Sequence, residues 1–247
     1  TGIGIVSPFG GGAAAAIEGA RSGRAAISPI TQFDASTFLC RIAGSVPPDA
    51  IAKDDREYDR FTRFALIAAG EAARQARLDD ASLDRRRIGT LVATGLGGCE
   101  TLDTAYERLY RQGSSRIPPV TIPRSMYNGA ASAVAARFRA LGPSFAISSA
   151  CASATHAIGQ ASHWIRFGMA DVALAGGADA PITPGIVRAW EGLRVLANDN
   201  DMPEGACRPF SADRKGLVLA EGSAIFILEE LESARRSSAE ILGEVCG

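Results

Sequence analysis

Apolar residues recur every three or four positions along 60–78, where Phe61, Phe64, Ala65, Ala68, Ala72 and Ala76 form one stripe. That spacing predicts an amphipathic helix. The same period predicts helices near 102–110 and over 126–141, the latter with Ala130, Val134, Phe138 and Leu141 on one face and a stop at Gly142-Pro143. Short apolar runs bounded by glycine, proline or charge predict buried strands over 88–94, 144–149, 172–175 and 223–228. A helix over 152–167, with Ala154, Ile158, Ala161 and Ile165 at helical spacing, lies between two of these strands and closes at Gly168. Strand, helix, strand in that order makes a crossover unit joining parallel strands. The pattern reads as an α/β chain whose sheet is buried on both faces. Residues 181–207 contain Trp190, Asn198-Asp199-Asn200-Asp201 and Pro203 and read as a long functional loop or cap. Thr1-Gly2-Ile3-Gly4 reads as a turn with no strand before it, and 241–246 as a strand entering something further, so the chain is expected to be a fragment.

Composition narrows the classes. With 247 residues, 47% of them hydrophobic, the chain has the material for a substantial core. A formal net charge of −1 gives no bulk attraction to nucleic acid or an anionic membrane. No apolar stretch reaches the roughly 18 residues that span a bilayer. Cys40, Cys99, Cys151, Cys207 and Cys246 are odd in number, scattered and free of any C-x-x-C pair. They argue against a disulfide framework and a zinc site, and fit a reducing cytoplasm.

Cys151 is the candidate for chemistry. It lies in SSACASATH, residues 148–156, where an apolar run meets the start of a helix. Unpaired N–H groups and the helix dipole favour thiolate there, and the thiolate is the nucleophile. A helix terminus contributes only about 0.3–2 kcal/mol, so full activation requires a second group. His156, five residues on, is turned about 140° away on a helix of about 3.6 residues per turn and is a poor base for it. The competing reading is a buried thiol acting as a small hydrophobe.

At SSACASATH the chain resembles the elongating beta-ketoacyl-[acyl-carrier-protein] synthases, condensing enzymes of fatty acid and polyketide synthesis. TGIGIVSPFG near the start, ATGLGGCE at 93–100, ALAGGAD at 173–179 and CRPFSADRKGLVLAEG at 207–222 resemble family motifs in the same order. The resemblance implies a thiolase-like fold of two similar halves, each a mixed, mostly parallel sheet between helices, with 1–247 as the first half. It implies that Cys151 accepts an acyl group as a thioester, its backbone N–H helping to hold the oxyanion. Two histidines of the second half would then stabilise the enolate formed by decarboxylation of malonyl carrier protein. The chain's own histidines, His156 and His163, are assigned structural roles, and the half alone is expected to be inactive.

The resemblance also places Leu96 at the bottom of an acyl tunnel and Trp190 near its wall. Leu96 reads equally as ordinary core. Arg124 resembles a basic position that meets the acyl carrier protein in some relatives, against a plain solvated arginine. No cofactor is implied, since acyl groups arrive on the carrier's phosphopantetheine arm, and a homodimer pairing across the strand at 144–149 is expected. Arg208, Pro209, Phe210, Arg214, Gly216, Glu221 and Gly222 follow the family pattern, whereas Ser211 and Lys215 stand where acidic residues are common, so local ion pairing should differ. Two other classes compete. A non-catalytic partner subunit of the chain-length-factor kind would dispense with the nucleophile, and a cysteine hydrolase would need a glycine-flanked elbow and a downstream histidine that SACAS lacks.

Overall fold

A computed structural model describes residues 1–51, 55–79 and 83–246. In chain order the elements are β1 (Gly2–Ser7), β2 (Gly10–Gly11), α1 (Ala13–Arg21), β3 (Ser28–Pro29), β4 (Ile42–Ala43), α2 (Arg60–Gln75), β5 (Ile88–Ala93) and α3 (Cys99–Tyr110). There follow α4 (Thr121–Ser125), α5 (Gly129–Phe138), β6 (Ser144–Phe145), α6 (Ser153–Arg166), β7 (Val172–Asp179), α7 (Pro184–Gly192), β8 (Gly222–Glu229) and α8 (Leu231–Arg236). Six strands form one sheet in the order β2-β1-β8-β7-β5-β6, and β3 pairs with β4 apart from it.

Mixed pairing is confirmed, but the expectation of a mostly parallel sheet is corrected. β5 pairs in parallel with β6 and β7, whereas β7–β8, β8–β1 and β1–β2 are antiparallel. The reason lies in the connections. β5, β6 and β7 follow one another through helices, α3–α5 and then α6, which return each strand in the same direction, whereas β8 enters from the 180–221 connection in the opposite one. One face of the sheet packs Ile88, Val92, Val172, Leu174, Ile225 and Ile227 against Phe61, Phe64 and Ala68 of α2 and Ala130 and Val134 of α5. The other packs Leu91, Ala93, Ala173 and Ala175 against Ala157, Ala161 and Trp164 of α6. β5 is therefore buried throughout, while β1 and β8 alternate, so full burial on both faces holds only at the sheet's centre.

The opening segment is a strand rather than the turn its glycines suggested. A Cβ at Gly2 would lie 2.2 Å from the carbonyl oxygen of Ala72, and one at Gly4 would lie 1.8 Å from that of Ala68. These glycines let β1 press directly onto the alanine stripe of α2. Gly4→Ala is expected to cost about 3 kcal/mol, roughly 10 °C in melting temperature for a chain this long, because backbone rather than a flexible side chain must yield. Thermal unfolding by circular dichroism checks it.

Other bounds shift for similar reasons. β7 continues through Gly176 and Gly177, where added Cβ atoms would meet Ala224 O at 2.0 Å and the Ala154 methyl at 2.9 Å. β6 keeps two residues of the predicted 144–149 strand, at the sheet's edge. The 181–207 loop contains α7, capped by Thr183 with Pro184 in its first turn. Residues 241–246 form no strand; Arg166 reaches the carbonyls of Val245 and Cys246. Among the described residues, no helix is long and apolar enough to cross a membrane.

Candidate functional site

Cys151 is exposed, one residue ahead of Ala152, the cap of α6. The chain reaches it through Ala150, whose φ of +53° is a left-handed conformation that costs a non-glycine residue about 1–2 kcal/mol. Ser153 holds that turn: its hydroxyl donates to Ala150 O at 2.6 Å and accepts from the Ser149 N–H at 2.8 Å. Buried serine inside and exposed cysteine outside make a rigid bend presenting a thiol. His156 Nδ1 lies 2.6 Å from Ser149 Oγ, and His163 rests against the Phe167 ring. Both imidazoles, in exposed positions, have local partners.

The other thiols separate by environment. Cys40 and Cys99 are buried. Burial pushes the Cys40 thiol up, and pushes that of Cys99 up to about 12 with help from the carboxylates of Asp59, Asp179 and Asp103. At pH 8 roughly one Cys99 in 10⁴ is thiolate. Iodoacetamide at that pH is expected to alkylate Cys151 before Cys40 and Cys99, with Cys99 labelling rising only as pH approaches its own range. Peptide mass mapping over time reads the order.

Leu96 stands in the turn between β5 and α3, half-buried. That turn abuts the Cys151 bend: an added Cβ on Gly95 would lie 3.9 Å from Ala150 O, and Thr94 N donates to Ile147 O. Asp179, the last residue of β7, accepts from Thr94 Oγ1 at 2.7 Å and from the N–H groups of Gly95 and Leu96. Asp59 holds the far end, capping α2 through Phe61 N while accepting from Thr101 N at 2.9 Å. Burial pushes the Asp59 carboxyl up, and its hydrogen bonds to Thr101 and Phe61 pull it back. The structure thus brings Cys151 and Leu96 into adjoining turns.

Trp190 and Arg124 lie elsewhere. Trp190 is half-buried on α7, which is tied to α3 by the Gly185 N–H donating to Asp103; no described hydrogen bond or ring contact joins it to either turn. Arg124, on α4, is half-buried with an Nε that is shielded and has no hydrogen-bond partner among the described residues. It is not a plain solvated arginine. With Arg56, Arg63 and Arg108 it lines a cavity of about 240 Å³ whose lining includes Glu100. Burial pushes the Glu100 carboxyl up, as does nearby Asp59, while Arg60 and Arg63 pull it down.

Ion pairs hold the motif at 207–222 to the preceding loop. Asp199 takes both Lys215 and Arg208, which hold its carboxyl below the usual range, and Arg208 also meets Asp213 at 3.3 Å. Ser211 donates to Asp213. Sequence reading passed over Asp179, Thr94, Asp59 and Ser153. Only Asp59 carried a local signal, an acidic residue just before a helical stripe.

A mixed sheet between helices, with an exposed cysteine bend at the start of one of them, defines a thiolase-like α/β fold. Residues 1–234 match the family model described as "Beta-ketoacyl synthase, N-terminal domain", and the chain belongs to that family. It is 39% identical to a 3-oxoacyl-[acyl-carrier-protein] synthase 2 of Synechocystis sp., covering all of this chain and 61% of that protein. It is 41% identical to Nodulation protein E of Rhizobium leguminosarum bv. trifolii, with the same coverage. The fold matches a type II PKS ketosynthase, solved in complex with its acyl-carrier protein, at a TM-score of 0.86 and 30% identity over 98% of this chain and 60% of that one. The chain thus spans about three-fifths of the length of the relatives it matches.

Proposed function

We propose that this chain is the nucleophile-bearing half, residues 1–247, of a condensing acyltransferase. The observation that carries the reading is the exposed Cys151, held on a strained bend at the mouth of α6 within the matched family. The Cys151 sulfur attacks the carbonyl carbon of an acyl thioester, the tetrahedral intermediate collapses, and the carrier's thiol leaves with the proton. Malonyl carrier protein then loses CO₂, and the resulting enolate carbon attacks the Cys151 thioester. The new carbon–carbon bond forms as the cysteine sulfur departs. His156, beside Ser149, and His163, against Phe167, keep structural roles on this reading, and the imidazoles that stabilise the enolate are assigned to the second half. On this reading no metal or organic cofactor takes part.

Leu96 and Trp190 are assigned to the acyl site, and Arg124, with its shielded Nε, to the acidic face of an acyl carrier protein. The β6 edge, where Phe145 is 43% exposed, is assigned to pairing with a second copy in a cytoplasmic homodimer. A partner role without catalysis would leave the exposed thiol idle and is not favoured. The test is to incubate the intact protein with acyl and malonyl carrier proteins and to measure both the acyl adduct on Cys151 and the β-ketoacyl product. An adduct without carbon–carbon bond formation would overturn the condensing reading in favour of transfer or hydrolysis.

A further inference from the structure

Asp179 gathers more of the site than any residue except the nucleophile's own turn. Its Oδ1 accepts from Thr94 Oγ1 at 2.7 Å, Gly95 N at 3.1 Å and Leu96 N at 3.2 Å, and its Oδ2 accepts from Gly95 N at 3.0 Å. Thr94 is itself buried, and its oxygen accepts from Gly97 N at 2.9 Å. One carboxylate and one hydroxyl therefore fix three successive backbone N–H groups. Gly97 has a φ of +65°, and an added Cβ there would meet the Tyr127 ring at 2.5 Å, so the turn is confined on its outer side as well. The side chain hung from this turn is Leu96, and the turn adjoins Ala150. β7, which carries Asp179, also presents Gly177 to Ala154 of α6. The strand end thus touches both the helix that bears the nucleophile and the turn beside it.

We propose that Asp179 is a positioning residue that sets acyl-chain length, acting through Thr94 and the 95–97 turn on the place of Leu96. The proposal rests on the assignment of Leu96 to the acyl site. A carboxylate is required because three donors converge on it. An amide in its place brings its own N–H groups against Gly95 N–H, and one contact becomes a repulsion between donors. Freed on this side, the turn lets Leu96 withdraw and the space beyond it admit a longer chain.

The experiment loads Cys151 of the intact protein with octanoyl- or hexadecanoyl-pantetheine and measures the ratio of the two adducts by intact mass. Asp179→Asn and Thr94→Val are each expected to shift that ratio towards the longer chain by about tenfold, the scale on which apolar pockets discriminate chain length. Thr94→Ser, which keeps the hydroxyl, restores the parent ratio. General loosening would lower both adducts together and leave the ratio alone. Leu96→Ala separates the two levels of the argument. If it shifts the ratio while Asp179→Asn and Thr94→Val do not, the role of Asp179 is overturned and the acyl-site assignment stands. If none of the three shifts it, Leu96 leaves the acyl site and the proposal falls with it.

Discussion

Replacing Cys151 with alanine is expected to abolish the acyl adduct and to lower condensation by about 10⁴-fold or more, the loss typical of removing a covalent nucleophile. Cys207 and Cys246 are also exposed, but neither sits in this bend, and the remaining candidates are poor substitutes. Cys99 and Cys40 are buried and held as thiols, and Ser149 is engaged with His156. Cys151→Ser tests the same point from the other side: the geometry survives, but a hydroxyl without a base is a far weaker nucleophile than a thiolate. Single-turnover loading followed by intact mass spectrometry gives the answer directly. Undiminished acylation in Cys151→Ala, localised elsewhere by peptide mapping, would remove the enzymatic role from this bend.

Arg60→Met is expected to destabilise the fold by about 3–5 kcal/mol, the range for breaking a buried ion pair from one side. Glu221 has no exposed side-chain surface and accepts from Arg60 at 2.5 and 2.8 Å, from Val46 N at 2.9 Å and from Gln32 at 3.3 Å. The pair joins the start of α2 to the residue before β8. Glu221 N donates to Gly44 O, so the segment after β4 is tied in too. Removing the guanidinium strands a carboxylate with two weaker donors. Removing the charge as well, in Arg60→Met with Glu221→Gln, is expected to recover most of the loss. Urea unfolding of the four proteins in the cycle measures the coupling. A single-variant cost below about 1 kcal/mol would mean that the pair behaves as a solvated surface bridge.

The helices were legible because burial writes a stripe on them: Phe61, Phe64, Ala68 and Ala72 are all core. β1 was not, because its glycines serve a close approach to α2, and glycine at a close approach looks the same in sequence as glycine in a turn. The same ambiguity truncated β7 at Gly176. α7 lacks a long stripe, and its signal was the Thr183-Pro184 cap. At the site, Cys151 was readable from its segment and from the order of the surrounding motifs. Asp179 was not, since its principal partner, Thr94, is 85 residues away and nothing local marks a carboxylate as a hub. The basic cavity around Arg124 is assembled from α2, α3, α4 and the segment before α2 that carries Arg56, whose arginines have unrelated spacings.

Ala150 carries one more consequence. An L-residue at φ +53° disfavours a conformation that glycine adopts freely, so the bend is held in place by its surroundings against its own preference. Glycine there would relieve the tension and widen the range of shapes the bend visits in the unloaded protein. The alanine trades a little thermodynamic comfort for a sulfur that waits in one place, and a sturdier protein would be a less punctual one.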